Sequence, residues 1–289
     1  MDIRAIMMGL AFAVMWSSAF TSARIIVVDA PPLTSLAIRF VISGALGIGL
    51  AALMGQKIQL TRGQWMSVVI FGVCQNAIYL GLNFVAMQWV EAGFASIIAS
   101  TMPLIVGLFG WAIFRDKLPP LATLGLVVGF AGVALIMGSR ISGGVDLVGL
   151  GLCVIAAIAL AVATLSVRSA SGGGNLLMVV GLQMLVGAAV LAPFAILLEP
   201  FEVNWTPKLM IAFAYTTLVP GLAATYVWFA LVARIGAIRA ATFHFLNPFF
   251  GVAIAAVLLG ESLGLLDIAG VAIVTLGILA VQLSKQKPG

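Results

Sequence analysis

Residues 92–132, AGFASIIASTMPLIVGLFGWAIFRDKLPPLATLGLVVGFAG, and residues 237–277, AIRAATFHFLNPFFGVAIAAVLLGESLGLLDIAGVAIVTLG, superpose when the chain is slid along itself by 145 positions. The shift sets Ala92 on Ala237, Ala95 on Ala240, Pro103 on Pro248, Leu118 on Leu263, Leu121 on Leu266, Gly125 on Gly270 and Gly132 on Gly277, and Asp116 falls on Glu261. Apolar segments match one another by chance. A proline, an acid two residues ahead of a leucine and two glycines at one constant offset carry more information, and they read as a duplication covering two helices and their turn.

The rest of the chain says what each copy is made of. Of 289 residues, 63% are apolar and 8% are charged, against roughly 45–50% and ~25% in a soluble domain. So little charge cannot cover a solvated surface, which excludes a water-soluble globule. The solvent is lipid. A bilayer core about 30 Å thick takes ~20 apolar residues per helical crossing, and allowing about 29 residues for each crossing and its turn leaves room for ten crossings and no further domain. Apolar windows between charged or Gly/Pro-rich breaks place them at 5–28, 32–54, 64–88, 92–114, 119–138, 147–168, 176–198, 208–233, 237–260 and 264–284. Each copy then holds an odd number of crossings, so the second is inserted upside down. The expected fold is an all-α integral membrane protein of ten transmembrane helices, arranged as two inverted five-helix repeats over residues 1–140 and 145–289.

Charge sets the orientation. With the N-terminus in the cytoplasm, Arg4, Lys57, Arg62, Arg115, Lys117, Arg168, Arg234, Arg239, Lys285 and Lys287 fall inside, and only Arg24, Arg140 and Lys208 fall outside. The positive-inside rule therefore puts both termini in the cytoplasm. Arg39 lies within the second span, where a snorkelling side chain is expected to reach the outer face. Arg4 ahead of an apolar stretch has a weak signal-peptide look, but the stretch is too long for one and reads as a retained helix. Cys74 and Cys153 sit in apolar runs and suggest no disulfide or metal pattern. The basic residues are scattered singly, which excludes a nucleic-acid surface.

Trp16-Ser17-Ser18-Ala19-Phe20 in the first span, Pro103…Phe114-Arg115-Asp116-Lys117-Leu118 and Pro248…Gly260-Glu261-Ser262-Leu263 resemble the EamA-type drug/metabolite transporter superfamily over essentially the whole chain. Within it, the chain looks most like the bacterial aromatic amino acid exporters of the YddG type. That resemblance implies a bacterial inner-membrane exporter of aromatic and other neutral amino acids, with small metabolites or xenobiotics as the alternative cargo.

Polar side chains inside spans are costly in hydrocarbon and should face the bundle interior. In the third span Gln75, Asn76, Tyr79 and Asn83 share a helical face. They suit a substrate cavity, with interhelical hydrogen bonding as the plainer role. In the fourth span Ser96, Ser100 and Pro103 share a face, and in the ninth His244, Asn247 and Pro248 do. Each proline lacks an N–H and should free a carbonyl, that of Ala99 or of His244, as an acceptor and make a bending point. Trp16, Ser17 and Ser18 interrupt the first span near its middle, and Thr164 lies at comparable depth in the sixth. In the eighth, Thr217, Pro220, Thr225, Tyr226 and Trp228 form a further set whose inward members spacing alone does not fix. Trp16, Ser17, Gln75, Asn76, Tyr79, Asn83, Ser96, Ser100, Thr164, Tyr226, His244 and Asn247 are the expected substrate-binding residues, and Pro103 and Pro248 the expected hinges.

No Asp or Glu occupies the middle third of any span, whereas proton-driven pumps commonly carry one there. Facilitated diffusion by alternating access is expected, with proton coupling through His244, the only histidine, as the alternative. Glycines 125, 129, 132, 270 and 277 permit close helix approach, within one chain or between two. No cofactor, metal or catalytic group is called for. An intramembrane enzyme would need a nucleophile–base pair, an acid pair or metal ligands, none of which the sequence offers. The expected partners are lipid and a small amino acid, with the monomer as the working unit.

Overall fold

A computed structural model of the chain describes residues 3–112, 119–166, 175–235, 240, 242–262 and 264–284. Among the described residues the secondary structure is helical throughout, with no strand. Ten spans follow one another. They are α1 (Ile3–Asp29), α2 (Pro32–Leu53), α3 (Arg62–Ala86), α4 (Ala92–Ala99 and Met102–Ala112), α5 (Pro120–Ser142), α6 (Leu147–Ser166), α7 (Leu176–Leu198), α8 (Pro207–Ile235), α9 (Thr242–Leu246 and Asn247–Leu259) and α10 (Leu265–Ser284). Eight are long and apolar enough to cross a bilayer, and α9 and α10 are shorter apolar helices. The expected basic residues Arg115, Lys117, Arg168, Arg239, Lys285 and Lys287, together with Asp116, Leu118, Ala237 and Leu263 of the repeat, lie outside the described residues.

Helix boundaries follow from local chemistry. Ala30, Pro31 and Pro32 end α1, because a residue ahead of proline is pushed out of the helical region, and Pro32 opens α2 where a missing N–H costs nothing. Thr61 and Gln64 form a capping box at the start of α3, through bonds of 3.3 and 2.9 Å. Gly260, at φ +70°, closes α9 in a left-handed conformation that other residues adopt at a cost.

Three helix starts are capped from the opposite half. Glu199, after α7, accepts from the Leu33 and Thr34 amides of α2 at 2.7 and 2.8 Å. Gln56, after α2, accepts from the Met178 amide of α7 at 3.1 Å. Glu261, after α9, accepts from the Ala92 and Gly93 amides of α4 at 2.7 and 2.9 Å. Free amides at a membrane helix end must be satisfied inside the protein, and carboxylates at N-termini also complement the helix dipole. The halves are therefore tied by hydrogen bonds as well as by packing.

Each span packs chiefly on its counterpart or on the counterpart's neighbours, α2 with α7, α5 with α10 and α4 with α9. α1 lies against α8 and α9, and α6 lies against α3 and α4, as an inverted arrangement requires. The glycines of α5 and α10 meet one another within the chain. A Cβ on Gly277 would stand 2.4 Å from the Gly129 Cα, closer than backbone can tolerate. Gly125 approaches the Gly277 carbonyl, and Gly270 approaches that of Gly132. The two-fold that exchanges 125 with 270 and 132 with 277 converts one of these contacts into the other.

Candidate functional site

The third and eighth spans are not regular helices. In α3 a π-helical segment, Gly72–Leu80, separates Arg62–Phe71 from Gly81–Ala86. In α8 a second, Thr217–Ala223, separates Pro207–Thr216 from Ala224–Ile235. Their first residues, 72 and 217, differ by 145, the offset of the sequence repeat. A π-helical segment carries an extra residue per turn and recurs at functional sites. In α8 Pro220 contributes by withholding an N–H from the ladder.

These segments face one cavity. Its walls are Trp16, Phe20 and Ala23 of α1, Arg39 and Phe40 of α2, Gln75, Asn76, Tyr79, Asn83 and Phe84 of α3, Met184 of α7, and Pro220, Gly221 and Thr225 of α8. The volume is about 30 Å³, room for one or two waters. In this conformation the space is constricted, and an amino acid would require its walls to part. No carboxylate is among the described lining residues.

Inside the cavity wall, Asn76 donates to the Gln183 carbonyl of α7 at 2.9 Å, which fixes its amide. Asn83 donates to the Tyr79 carbonyl at 2.8 Å, and its Oδ1 is buried without a partner. Tyr79 is 1% exposed. Ser43 of α2 donates to the Thr217 carbonyl at 3.1 Å, one of the acceptors the π-helical turn exposes.

Arg39 departs from expectation. The side chain does not snorkel outward: it is 4% exposed and turned into the cavity, about 10 Å along α2 from Pro32 at 1.5 Å per residue. Gly221 of α8 lies beside it, and a Cβ there would meet Arg39 Nη2 at an ordinary contact distance of 3.4 Å. Nε and Nη1 are buried without hydrogen-bond partners. The Phe40 ring, 5.2 Å from Cζ, offers a cation–π contact. Such a contact is worth about 0.5–2 kcal/mol, less than the roughly 2.5–3.5 kcal/mol that an arginine at mid-membrane costs on insertion scales.

A second polar cluster lies on the other side of Trp16. His244 is boxed by Phe12, Trp16 and Trp228, at ring-centroid distances of 5.2, 6.4 and 4.8 Å. Asn247 Nδ2 lies 2.9 Å from His244 Nδ1. With the amide donating, the ring proton sits on Nε2, and Asn247 Oδ1 is left buried without a partner. Ser17 donates to the Asn247 carbonyl at 3.3 Å, and Ser96 reaches the same oxygen at 3.5 Å.

The structure thus brings Trp16, Gln75, Asn76, Tyr79 and Asn83 to one cavity, and Ser17, Ser96, His244 and Asn247 to the adjoining cluster. Ser100 and Thr164 are elsewhere, their hydroxyls donating to the carbonyls four residues back, Ser96 and Leu160, at 2.7 and 2.8 Å. Tyr226 is 40% exposed and is not among the residues lining this cavity, whereas its neighbour Thr225 is. Pro103 and Pro248 each fall in the second position after a break. Ser100 and Thr101 interrupt α4, and Thr242–Leu246 runs as a 3₁₀-helix before Asn247 in α9. Spacing alone pointed to neither Arg39 nor Gly221. A lone charge in an apolar span was the available signal.

A wider depression of about 760 Å³ lies between the α1–α2 turn, the end of α3 and the α7–α8 connection. Two of its carboxylates already have structural partners. Glu199 caps α2, and Asp29 accepts from Asn204 and Thr206 at 2.9 and 2.8 Å.

The description "EamA-like transporter family" matches residues 3–138 and again residues 147–283, and the chain belongs to that family. The uncharacterized transporter YvbV of Bacillus subtilis is 25% identical over 274 residues, 94% of this chain and 90% of that one. The uncharacterized inner membrane transporter YedA of Escherichia coli K12 is 25% identical over 283 residues, 95% of this chain and 89% of that one. A crystal structure superposes with a TM-score of 0.71 at 22% identity, covering 98% of both chains, and shows the same fold. The family and these relatives are transporters, not enzymes, and the chain is a multi-pass membrane protein. The relatives' names give no amino acid cargo.

Proposed function

We propose that this family member exports aromatic and other neutral amino acids across a bacterial inner membrane by facilitated diffusion, working as a monomer with both termini in the cytoplasm. The carrying observation is the composition of the cavity. Trp16, Phe20, Phe40, Tyr79 and Phe84 form a wall suited to an aromatic side chain, and the amides of Gln75, Asn76 and Asn83 offer hydrogen bonds beside it. Multiply charged cargo such as a sugar nucleotide would need several cations, and one lines the space.

Alternating access accounts for the constriction. The inverted halves rock about the cavity between α3 and α8, and the breaks at Pro103 and Pro248 let α4 and α9 bend. The absence of a carboxylate among the described lining residues favours diffusion down the cargo's own gradient over proton exchange. The alternative, a proton-coupled exporter of small metabolites or xenobiotics, draws on His244.

Purified protein in proteoliposomes tests the reading. Labelled phenylalanine or tryptophan should equilibrate and exchange with unlabelled amino acid, with no net accumulation under an imposed pH gradient. Uphill accumulation abolished by a protonophore overturns the facilitated mechanism. Exchange of no amino acid overturns the cargo assignment.

A further inference from the structure

The cavity between the two π-helical segments holds a buried donor set and a buried acceptor that the protein leaves unmatched. We infer that Arg39 is the anchor for a ligand carboxylate and that Asn83 Oδ1 is the acceptor for the amino group of the same ligand. This rests on the transport reading above and narrows its cargo to compounds bearing a free carboxylate.

The argument is one of complementarity. Arg39 Nε and Nη1 have no partner, the side chain is 4% exposed, and no acid is among the described residues lining the cavity to neutralise it. A guanidinium is a planar array of donors that matches the two oxygens of a carboxylate and cannot shed its charge. One cation balances one anion, which favours a monocarboxylate over a phosphate monoester. Asn83 donates one amide N–H to the Tyr79 carbonyl and leaves Oδ1, an atom that can only accept, buried without a partner. A bare amine lacks the group that Arg39 needs. A bare carboxylate leaves Asn83 unmatched. An α-amino acid satisfies both.

Thermal shift and tryptophan fluorescence titrations on purified protein test this with four probes: L-phenylalanine, 3-phenylpropanoate, phenethylamine and sodium chloride. Phenylalanine should bind most tightly, phenylpropanoate more weakly, and phenethylamine and chloride not measurably. Arg39→Gln should weaken phenylalanine and phenylpropanoate together by roughly 10- to 100-fold, the span expected for losing hydrogen bonds to a charged group. Asn83→Leu should lower phenylalanine to the level of phenylpropanoate and leave phenylpropanoate unchanged. The unliganded melting temperature checks that each variant is folded. Where Arg39→Gln fails that check, Arg39→Lys keeps the charge and should retain the carboxylate preference in weakened form.

Equal binding of phenethylamine, a chloride response matching the carboxylates, or a carboxylate preference that survives Arg39→Gln overturns the assignment. The two readings fail separately. Carboxylate binding lost in Arg39→Gln, with no amino acid flux in proteoliposomes, keeps the anchor and removes the export reading. Flux undiminished by Arg39→Gln does the reverse.

Discussion

Trp16 and His244 meet edge to face, with ring centroids 6.4 Å apart and planes at 88°. The indole therefore has two neighbours of different kinds. One side lines the cavity with Arg39 and Asn83, and the other closes the aromatic box around the imidazole. α1 is the shared wall. A shift of α9 at the Asn247–Pro248 junction would move that wall through His244, because Ser17 of α1 holds the Asn247 carbonyl.

The first prediction separates the two sides of that wall. Trp16→Ala should reduce amino acid flux per folded protein by at least about tenfold, since it strips the cavity and unpacks the box together. His244→Ala should reduce flux less, because it leaves the cavity lining intact, although it empties the aromatic box and removes the partner of Asn247 Nδ2. Tyr226→Ala, on an outward face, should leave flux within about twofold of the parent and serves as the control. Flux assays normalised to monodisperse protein provide the measurement. Equal loss in all three variants would show that the cavity is not the path.

Lipid made much of this fold legible in the sequence. Hydropathy fixes the spans because a bilayer accepts little else, and a single offset exposes the duplication through Pro103, Pro248 and the paired glycines. The shared face of Gln75, Asn76, Tyr79 and Asn83 was also readable, since an extra residue per turn still leaves them on one broad side. Orientation in α8 was not. A π-helical turn has no signature beyond Pro220, and of the adjacent pair after it Thr225 lines the cavity while Tyr226 does not. Arg39 lies within the second span, where snorkelling toward the outer face is the ordinary expectation for a lone charge. Its burial against α8, beside Gly221, joins residues nearly two hundred positions apart in sequence, which spacing does not show.

The second prediction concerns α4 and α9. A Cβ on Gly251 would stand 1.8 Å from Ser96 Oγ. Gly251→Ala should therefore force the helices apart and destabilise the protein by about 1–3 kcal/mol, the usual range for overpacking. Ser96→Gly in the same chain should recover most of the loss, because it removes the atom in the way. Melting in detergent for both single variants and the double variant completes the cycle. Additive losses would mean that the two residues are not in contact.

The third prediction uses pH. Glu261 lies outside the spans, and desolvation by burial raises its pKa above the ordinary carboxylate value, with Glu91 pushing the same way and the Gly93 and Ala92 amides and Arg24 opposing. Between the unfolded and the raised folded pKa, the native state binds more protons than the unfolded one, so this group's contribution to stability falls as pH rises through that window. Glu261→Gln keeps an acceptor for the α4 amides and removes the titration. The stability difference between parent and variant should therefore shift in favour of the variant as pH rises through the window. A pH-independent difference in detergent melting curves would contradict it.

The fourth prediction addresses motion at the two helix breaks. Pro103 withholds an N–H from the Ala99 carbonyl, and the Ser100 and Thr101 hydroxyls add second bonds, at 2.7 Å each, to the Ser96 and Ile98 carbonyls that the Ser100 and Thr101 amides already reach. Such a joint is not locked, since side-chain donors can exchange carbonyls as the helix bends. Pro103→Ala restores the missing donor and should favour one straight helix through residues 92–112. Pro248→Ala should do the same between the 3₁₀ segment and the rest of α9. If bending at these joints carries the exchange between inward- and outward-facing states, each variant should melt at or above the parent temperature and bind phenylalanine with similar affinity. Transport should nevertheless slow by about tenfold, the factor for roughly 1.4 kcal/mol added to the conformational step. Exchange rates in proteoliposomes set beside binding titrations separate the two quantities. Unchanged rates in both variants would place the moving joint elsewhere, with the π-helical turns of α3 and α8 as the next elements to straighten.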